Sequence, residues 1–149
     1  MEAVLLIGLQ ASGKSTFYRQ RFGDTHIRIN LDMLKTRVRE ATFVETCLRT
    51  LQPFVVDNTN PTVEDRVRYI APAKTAGFRV VGYYFQSRLS DCLARNARRT
   101  GNALVPDAGL LGTAGRLALP SLVEGFDELF YVSIGLTGEF LVETWNDEL

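Results

Sequence analysis

The sequence predicts an α/β fold: a P-loop NTPase/kinase-like three-layer αβα sandwich around a mostly parallel sheet, with a helical lid and a C-terminal β-hairpin. Three observations carry this. Apolar runs of strand length alternate with segments of helical period along the chain. The first run, Ala3-Val4-Leu5-Leu6-Ile7, passes directly into the loop GLQASGKST, Gly8 to Thr16, and then into a helix. Two late strand-like runs flank Gly135-Leu136-Thr137-Gly138, a hairpin-turn composition. At 149 residues the chain suits a single domain, residues 1–149, with a core of ordinary size.

The elements follow in order. Residues 3–8 read as a buried strand, and Lys14 to Phe22 as the helix that the loop opens. His26 to Asn30 is a short second strand. Asp32 to about Leu51 has helical period, with a break expected near Ala41. Pro53 stops it, and Phe54-Val55-Val56 is the third strand. Asn60 is the expected cap of the next helix, with Pro61 in its first position. That helix runs to Ala76, with Pro72 as a kink and Gly77 after its end. Phe78 to Phe85 is the fourth strand, and a helix runs from Ser87 through Arg98. Thr100-Gly101-Asn102 breaks the pattern and predicts a mobile loop. A further helix starts at Val105-Pro106-Asp107 and ends near Leu119. Phe130 to Ile134 and Glu139 to Trp145 are the arms of the hairpin.

Composition narrows the class. Hydrophobic residues make up 46% of the chain and charged residues 23%, a globular balance with no run long enough to span a membrane. Cys47 and Cys92 stand far apart with no metal-spaced partner, which argues against a zinc site or a disulfide framework. The short apolar start runs straight into the glycine loop, unlike a secretory leader. A cytoplasmic location is expected. The net charge of zero hides a split: residues 1–121 carry +7 and residues 122–149 carry −7. A basic body suits anionic ligands, while the acidic end reads as a solvated face. Arginine outnumbers lysine 14 to 3, as bidentate phosphate contacts favour.

The loop fits G-x-x-x-x-G-K-S at Gly8, Gly13, Lys14 and Ser15. Its glycines let the backbone wrap phosphates, Lys14 supplies charge to the β- and γ-phosphates, and the Ser15 hydroxyl is a magnesium ligand. Gly8, Ala11, Ser12, Gly13, Lys14, Ser15 and Thr16 are the candidate nucleotide-binding residues, with ATP and Mg²⁺ as the implied cofactors. In VVDNTNP, Asp57 ends the third strand, where an acid serves the metal. Asn58 follows it rather than the glutamate that activates water in ATP-driven motors. In INLDMLK, Asp32 ends the second strand on the side of the phosphate loop, where it is a candidate base for an attacking alcohol or simply a helix cap. Lys35, three residues on, is expected on the same helix face as Asp32. Arg37 and Arg39 read as a solvated basic face. Arg95, Arg98 and Arg99 precede the glycine-containing loop, as lid arginines or as helix-end cations.

GLQASGKST, INLD, VVDNTNP, ARNARRTGNALVP and PSLVEGFDEL, in that order, resemble the kinase domain of polynucleotide 5′-hydroxyl kinases, which heal nucleic-acid ends. The likeness covers roughly residues 5–132. It implies an ATP-dependent phosphotransferase acting on the 5′-OH of a DNA or RNA end. Lys14 and Ser15 match the family's phosphate and magnesium residues, and Asp32 its general base. Asp57 and Asn58 match the pair near metal and acceptor, and Arg99 with Arg95 the lid arginines. Lys14, Asp32 and Arg99 are thus the catalytic candidates. Asp32, Lys35 and Asn58 are the acceptor-binding candidates, and Ser15 and Asp57 the metal ligands. Several members carry arginine where this chain has Lys35, which keeps the charge but loses the fork. No D-x-D-x-T phosphatase or K-x-D-G ligase signature is present in these residues, so either a stand-alone kinase or one that works with a separate phosphatase or ligase partner is expected. The alternatives are a kinase for a small metabolite or nucleoside, and a nucleotide-dependent switch that needs no base at Asp32.

Overall fold

The computed structural model describes residues 1–146. Its elements are β1 (Glu2–Ile7), α1 (Lys14–Arg21), β2 (Ile27–Ile29), α2 (Leu31–Leu34), α3 (Arg37–Thr50), β3 (Phe54–Asp57), α4 (Val63–Thr75), β4 (Arg79–Phe85), α5 (Leu89–Asn96), α6 (Asp107–Arg116), β5 (Glu128–Ile134) and β6 (Phe140–Thr144), with short 3₁₀ turns at Gly101–Ala103 and Leu122–Glu124. They form one sheet in the order β2-β3-β1-β4-β5-β6. The first five strands are parallel, and β6 returns antiparallel to β5 as the expected hairpin.

The alternation of β1 builds both layers of core. Ala3, Leu5 and Ile7 face one apolar cluster with Val44 and Cys47 of α3 and Tyr69, Ile70 and Ala73 of α4. Val4 and Leu6 face the other, with Phe17 and Tyr18 of α1 and Phe22 after it. Residues 3–7 are all wholly buried, as a central parallel strand covered on both faces requires. Among the described residues no helix is long and apolar enough to cross a membrane.

Expectations about helix limits, a cap and the acidic end are corrected. The long helical stretch breaks at Lys35 and Thr36, not near Ala41. Lys35 closes α2 with φ 76, and the Thr36 side chain accepts from Arg39 N to start α3. Asn60 does not cap α4. It is left-handed with φ 47, its side chain donates to Leu6 O, and Thr62 is the cap. The acidic end is not simply a solvated face, because Glu124, Asp127 and Glu128 pair with Arg66, Lys74 and Arg79. Asp147 and Glu148 lie outside the described residues. The helix after Ser87 is also shorter than expected, Leu89–Asn96, and α6 stops at Arg116.

Candidate active site

The site lies at the carboxyl ends of the parallel strands, where ligands of open α/β sheets bind. The phosphate loop leaves β1 and turns into α1 at Gly13, whose φ of 103 is left-handed. A Cβ there would come within 3.0 Å of the Phe140 ring, so this position takes glycine for both backbone and space. The buried Ser12 hydroxyl turns inward and donates to Leu9 O at 2.7 Å, which fixes the loop's curl. Lys14 Nζ folds back onto the loop and donates to Gly8 O at 2.9 Å and Leu9 O at 2.6 Å. Burial lowers its pKa to about 8, with Asp57 acting in the opposite sense.

Strand register sets the next contacts. Leu6 of β1 pairs with Asp57 of β3, which brings that carboxylate beside the base of the loop. Ser15 Oγ donates to Asp57 Oδ2 at 2.9 Å. Two oxygens at that separation suit adjacent corners of an octahedron with bonds of about 2.0–2.1 Å, so this pair fits a magnesium ion. Among the described residues no group of three or more His, Cys, Asp or Glu side chains is placed to hold a metal by itself. Phosphate oxygens and water would have to complete the shell. Arg28, from β2, also reaches this pair, with Nε 2.8 Å from Asp57 Oδ2 and Nη2 3.0 Å from Ser15 Oγ.

Across the cleft, Asn30 caps α2 by accepting from Met33 N and holds the end of β3 by donating to Asp57 O at 2.6 Å. This presents Asp32, in the first turn of α2, as an exposed carboxylate on the cleft wall. Asn58 supports the same turn from beneath. Its Oδ1 accepts from Leu31 N at 2.9 Å, and its Nδ2 donates to Glu40 Oε2 and Tyr69 OH. The Tyr69 hydroxyl donates to buried Glu40 at 2.7 Å, and burial with that contact pushes its pKa up to about 12. Arg37 Nη1 donates to both Glu40 Oε1 and Tyr69 OH. Its head is thereby anchored from behind while the residue lines the cleft.

The lid side is α5, its loop and α6. Asn96 grips Val105 from both ends of its amide, 2.6 Å to the carbonyl and 3.0 Å from the N–H, which pins the base of the intervening loop. Arg99 lines the cleft and donates to Ala103 O. Arg95 Nη1 donates to Ala11 O at 3.3 Å, so it braces the phosphate loop from outside the cleft lining. Gln10 Nε2 donates to Thr113 Oγ1 and joins that loop to α6.

One cleft of about 750 Å³ thus gathers Ala11, Gly13, Lys14, Ser15, Thr16, Asp32, Asp57, Asn58 and Arg99. Gly8 and Ser12 support the loop from below. Lys35 is an exposed residue at the turn that closes α2, not a position within that helix, and it does not line the cleft. Arg37 does line it and is held by Glu40 and Tyr69, against the reading of it as a solvated cation. Arg19, Arg28 and Arg116 also line the cleft and were missed in the sequence. Lys14 and five arginines face Asp32, Asp57 and Asp65 there, an excess of positive charge suited to an anionic ligand.

A family model described as an AAA domain matches residues 36–120, more than half of the chain. The chain belongs to the AAA domain family. The matched part holds α3 to α6, and the phosphate loop precedes it. The bifunctional polynucleotide phosphatase/kinase of Schizosaccharomyces pombe is 28% identical over 97% of this chain and 36% of its own length. The chain therefore spans about a third of that relative. Among solved structures, Chaetomium thermophilum Kti12 in complex with ADP-AlF3 superposes with a TM-score of 0.69 at 15% identity, covering 88% of each chain. A sugar kinase from Janibacter sp. HTCC2649 superposes with a TM-score of 0.67 at 12% identity, over 89% of this chain and 85% of that one. At such identities the likeness shows the fold. This AAA domain protein has the α/β P-loop kinase-like architecture, and its sequence is related to a polynucleotide kinase.

Proposed function

We propose that this chain is an ATP-dependent kinase, one domain over residues 1–149, that transfers the γ-phosphoryl group to the 5′-hydroxyl of a nucleic-acid end. One observation carries the reading. The exposed carboxylate of Asp32 faces the same open, basic cleft as the phosphate loop, and the residue after Asp57 spends its amide on supporting the Asp32 turn instead of activating water. In this reading Lys14 leaves its carbonyl partners for the β- and γ-phosphates. Ser15 and Asp57 would hold a magnesium ion, which would supply positive charge to the phosphate oxygens. Asp32 takes the proton from the acceptor hydroxyl as the new oxygen–phosphorus bond forms. The bond between the γ-phosphorus and the bridging oxygen breaks, and ADP departs with that electron pair. Arg99 stabilises charge on the transferring group. Arg37, in the place first assigned to Lys35, meets the phosphate next to the 5′-hydroxyl. The setting in this reading is cytoplasmic.

The test offers γ-labelled ATP with magnesium, 5′-OH DNA and RNA oligomers, and a panel of sugars, nucleosides and small alcohols. Label on the oligomer 5′ end is the expected outcome. Efficient label transfer to a small alcohol with none to oligomers establishes the metabolite-kinase alternative. Nucleotide binding with no transfer to any acceptor establishes a switch.

A further inference from the structure

Arg28 stands where a magnesium ion would bind. Its guanidinium lies 2.8 Å from Asp57 Oδ2 and 3.0 Å from Ser15 Oγ, the two oxygens that would share the ion. A guanidinium and a hydrated divalent cation do not fit against the same pair of oxygens. The physical need for a cation there is plain, because the Asp57 side chain is only 2% exposed and a buried carboxylate without a counter-charge is costly. The Arg28 side chain is 27% exposed and also lines the cleft, so it has somewhere to go. Its guanidinium carbon, while paired with Asp57, lies 6.0 Å from the centroid of the Tyr18 ring.

We propose that Arg28 is a built-in cation that neutralises the Ser15–Asp57 seat in the nucleotide-free protein and leaves it when a divalent metal arrives. This rests on the magnesium reading of Ser15 and Asp57, and not on the identity of the acceptor. The seat is then never an empty acidic hole. A free metal ion must first displace a bound guanidinium, which lowers its apparent affinity by the fraction of protein in which the seat is open. When the nucleotide comes without metal, Arg28 stays and supplies positive charge beside the phosphates. Arg28 thereby sets how strongly nucleotide binding depends on the metal.

The test uses Mn²⁺ as a paramagnetic probe, with no nucleotide and no acceptor present. Free Mn²⁺ is counted by electron paramagnetic resonance for wild type, Arg28→Gln, Arg28→Lys and Asp57→Asn. Arg28→Gln is expected to bind Mn²⁺ about ten-fold more tightly than wild type, Arg28→Lys in between, and Asp57→Asn to lose the site. ATP titrations add a readout that a structural role does not move in opposite directions: in EDTA, Arg28→Gln binds ATP several-fold more weakly than wild type, and with excess magnesium at least as tightly. Should Arg28→Gln prove poorly folded, Arg28→Lys with the same two ATP titrations decides. Unchanged or weaker Mn²⁺ binding in the Arg28 variants, with Asp57→Asn still abolishing it, overturns the proposal and leaves the metal seat standing. Mn²⁺ binding insensitive to Asp57→Asn overturns both.

Discussion

Arg66 and Glu124 form a buried two-point ion pair across 58 residues of chain, Nε to Oε1 at 2.7 Å and Nη2 to Oε2 at 3.2 Å. Arg66 is wholly buried, and its remaining donor, Nη1, reaches Asn60 O and Ala118 O. Glu124 also closes a capping box by accepting from Ser121 N. Asn60 in turn donates to Leu6 O, one residue before the end of β1. The pair therefore ties α4 and the segment after α6 to the strand that carries the phosphate loop.

Breaking this pair from one side leaves a buried charge without a partner. Arg66→Ala is expected to cost about 3–5 kcal/mol. Urea unfolding followed by circular dichroism measures it, and Arg66→Met, which keeps the packing stem, should also be strongly destabilised because Glu124 remains. A loss below about 1 kcal/mol would show that the pair is replaced by water.

Lys14 should make ATP binding proton-linked. Its pKa is held at about 8 by burial, against an ordinary 10.5. Between those values the unfolded chain binds more protons than the folded one, so this group makes the nucleotide-free protein more stable as pH rises from about 8 to about 10.5. Phosphates favour the ammonium form and reverse the shift. At pH 8 in EDTA, ATP binding should take up about half a proton, and affinity should fall as pH rises further. Titration calorimetry in buffers of different ionisation enthalpy reads the uptake. Lys14→Ala should abolish it.

Asp32→Asn should keep the shape of the α2 turn and remove the proposed base. The chemical step should fall by about 10² to 10⁴, with ATP affinity nearly unchanged. Single-turnover quench measurements separate the two. Fast chemistry combined with collapsed ATP binding would move Asp32 to the donor side.

Arg37 and Lys35 should part company. Arg37→Ala should raise the oligonucleotide KM roughly ten-fold and reduce the slope of log affinity against log salt by about 0.7–0.9, the loss of one phosphate contact. Lys35→Ala should leave both nearly unchanged, since Lys35 does not line the cleft. The reverse result would restore Lys35 as the acceptor contact.

Residues 97–104, pinned at their base by the Asn96–Val105 pair, should close over ATP. Limited proteolysis is expected to cut this loop in the free protein and to spare it with ATP and magnesium. Equal cutting in both states counts against a lid.

What was legible in the sequence was whatever local chemistry fixes. A loop that wraps phosphates needs particular residues at fixed spacing, so Gly8, Gly13, Lys14 and Ser15 were readable at once, and apolar runs gave the strands. The break between α2 and α3 was not readable, because Lys35 takes a positive φ without being glycine or asparagine. The three-residue helical spacing from Asp32 therefore does not extend to Lys35, and Arg37 is the basic residue of this segment that lines the cleft. Arg28 was hidden for a different reason. Its partner Asp57 lies 29 residues away on the neighbouring strand, and only the register of β2 against β3 brings them together. Asn60-Pro61 looked like a helix start, yet the T-x-x-D pattern of Thr62 and Asp65, which hydrogen-bond to each other as a cap, was the better signal.

The position of β1 has a consequence for synthesis. This strand is made before β3 and β4, yet it lies between them, and its five wholly buried residues have no strand neighbour until residues 54–57 and then 79–85 have been made. At about 5–20 residues per second, the stickiest segment of the chain waits for seconds with both edges open and only the face toward α1 within reach of a partner. A nascent chain stalled between β2 and β4 would carry this exposed strand, and that interval is when a chaperone has the most to hold.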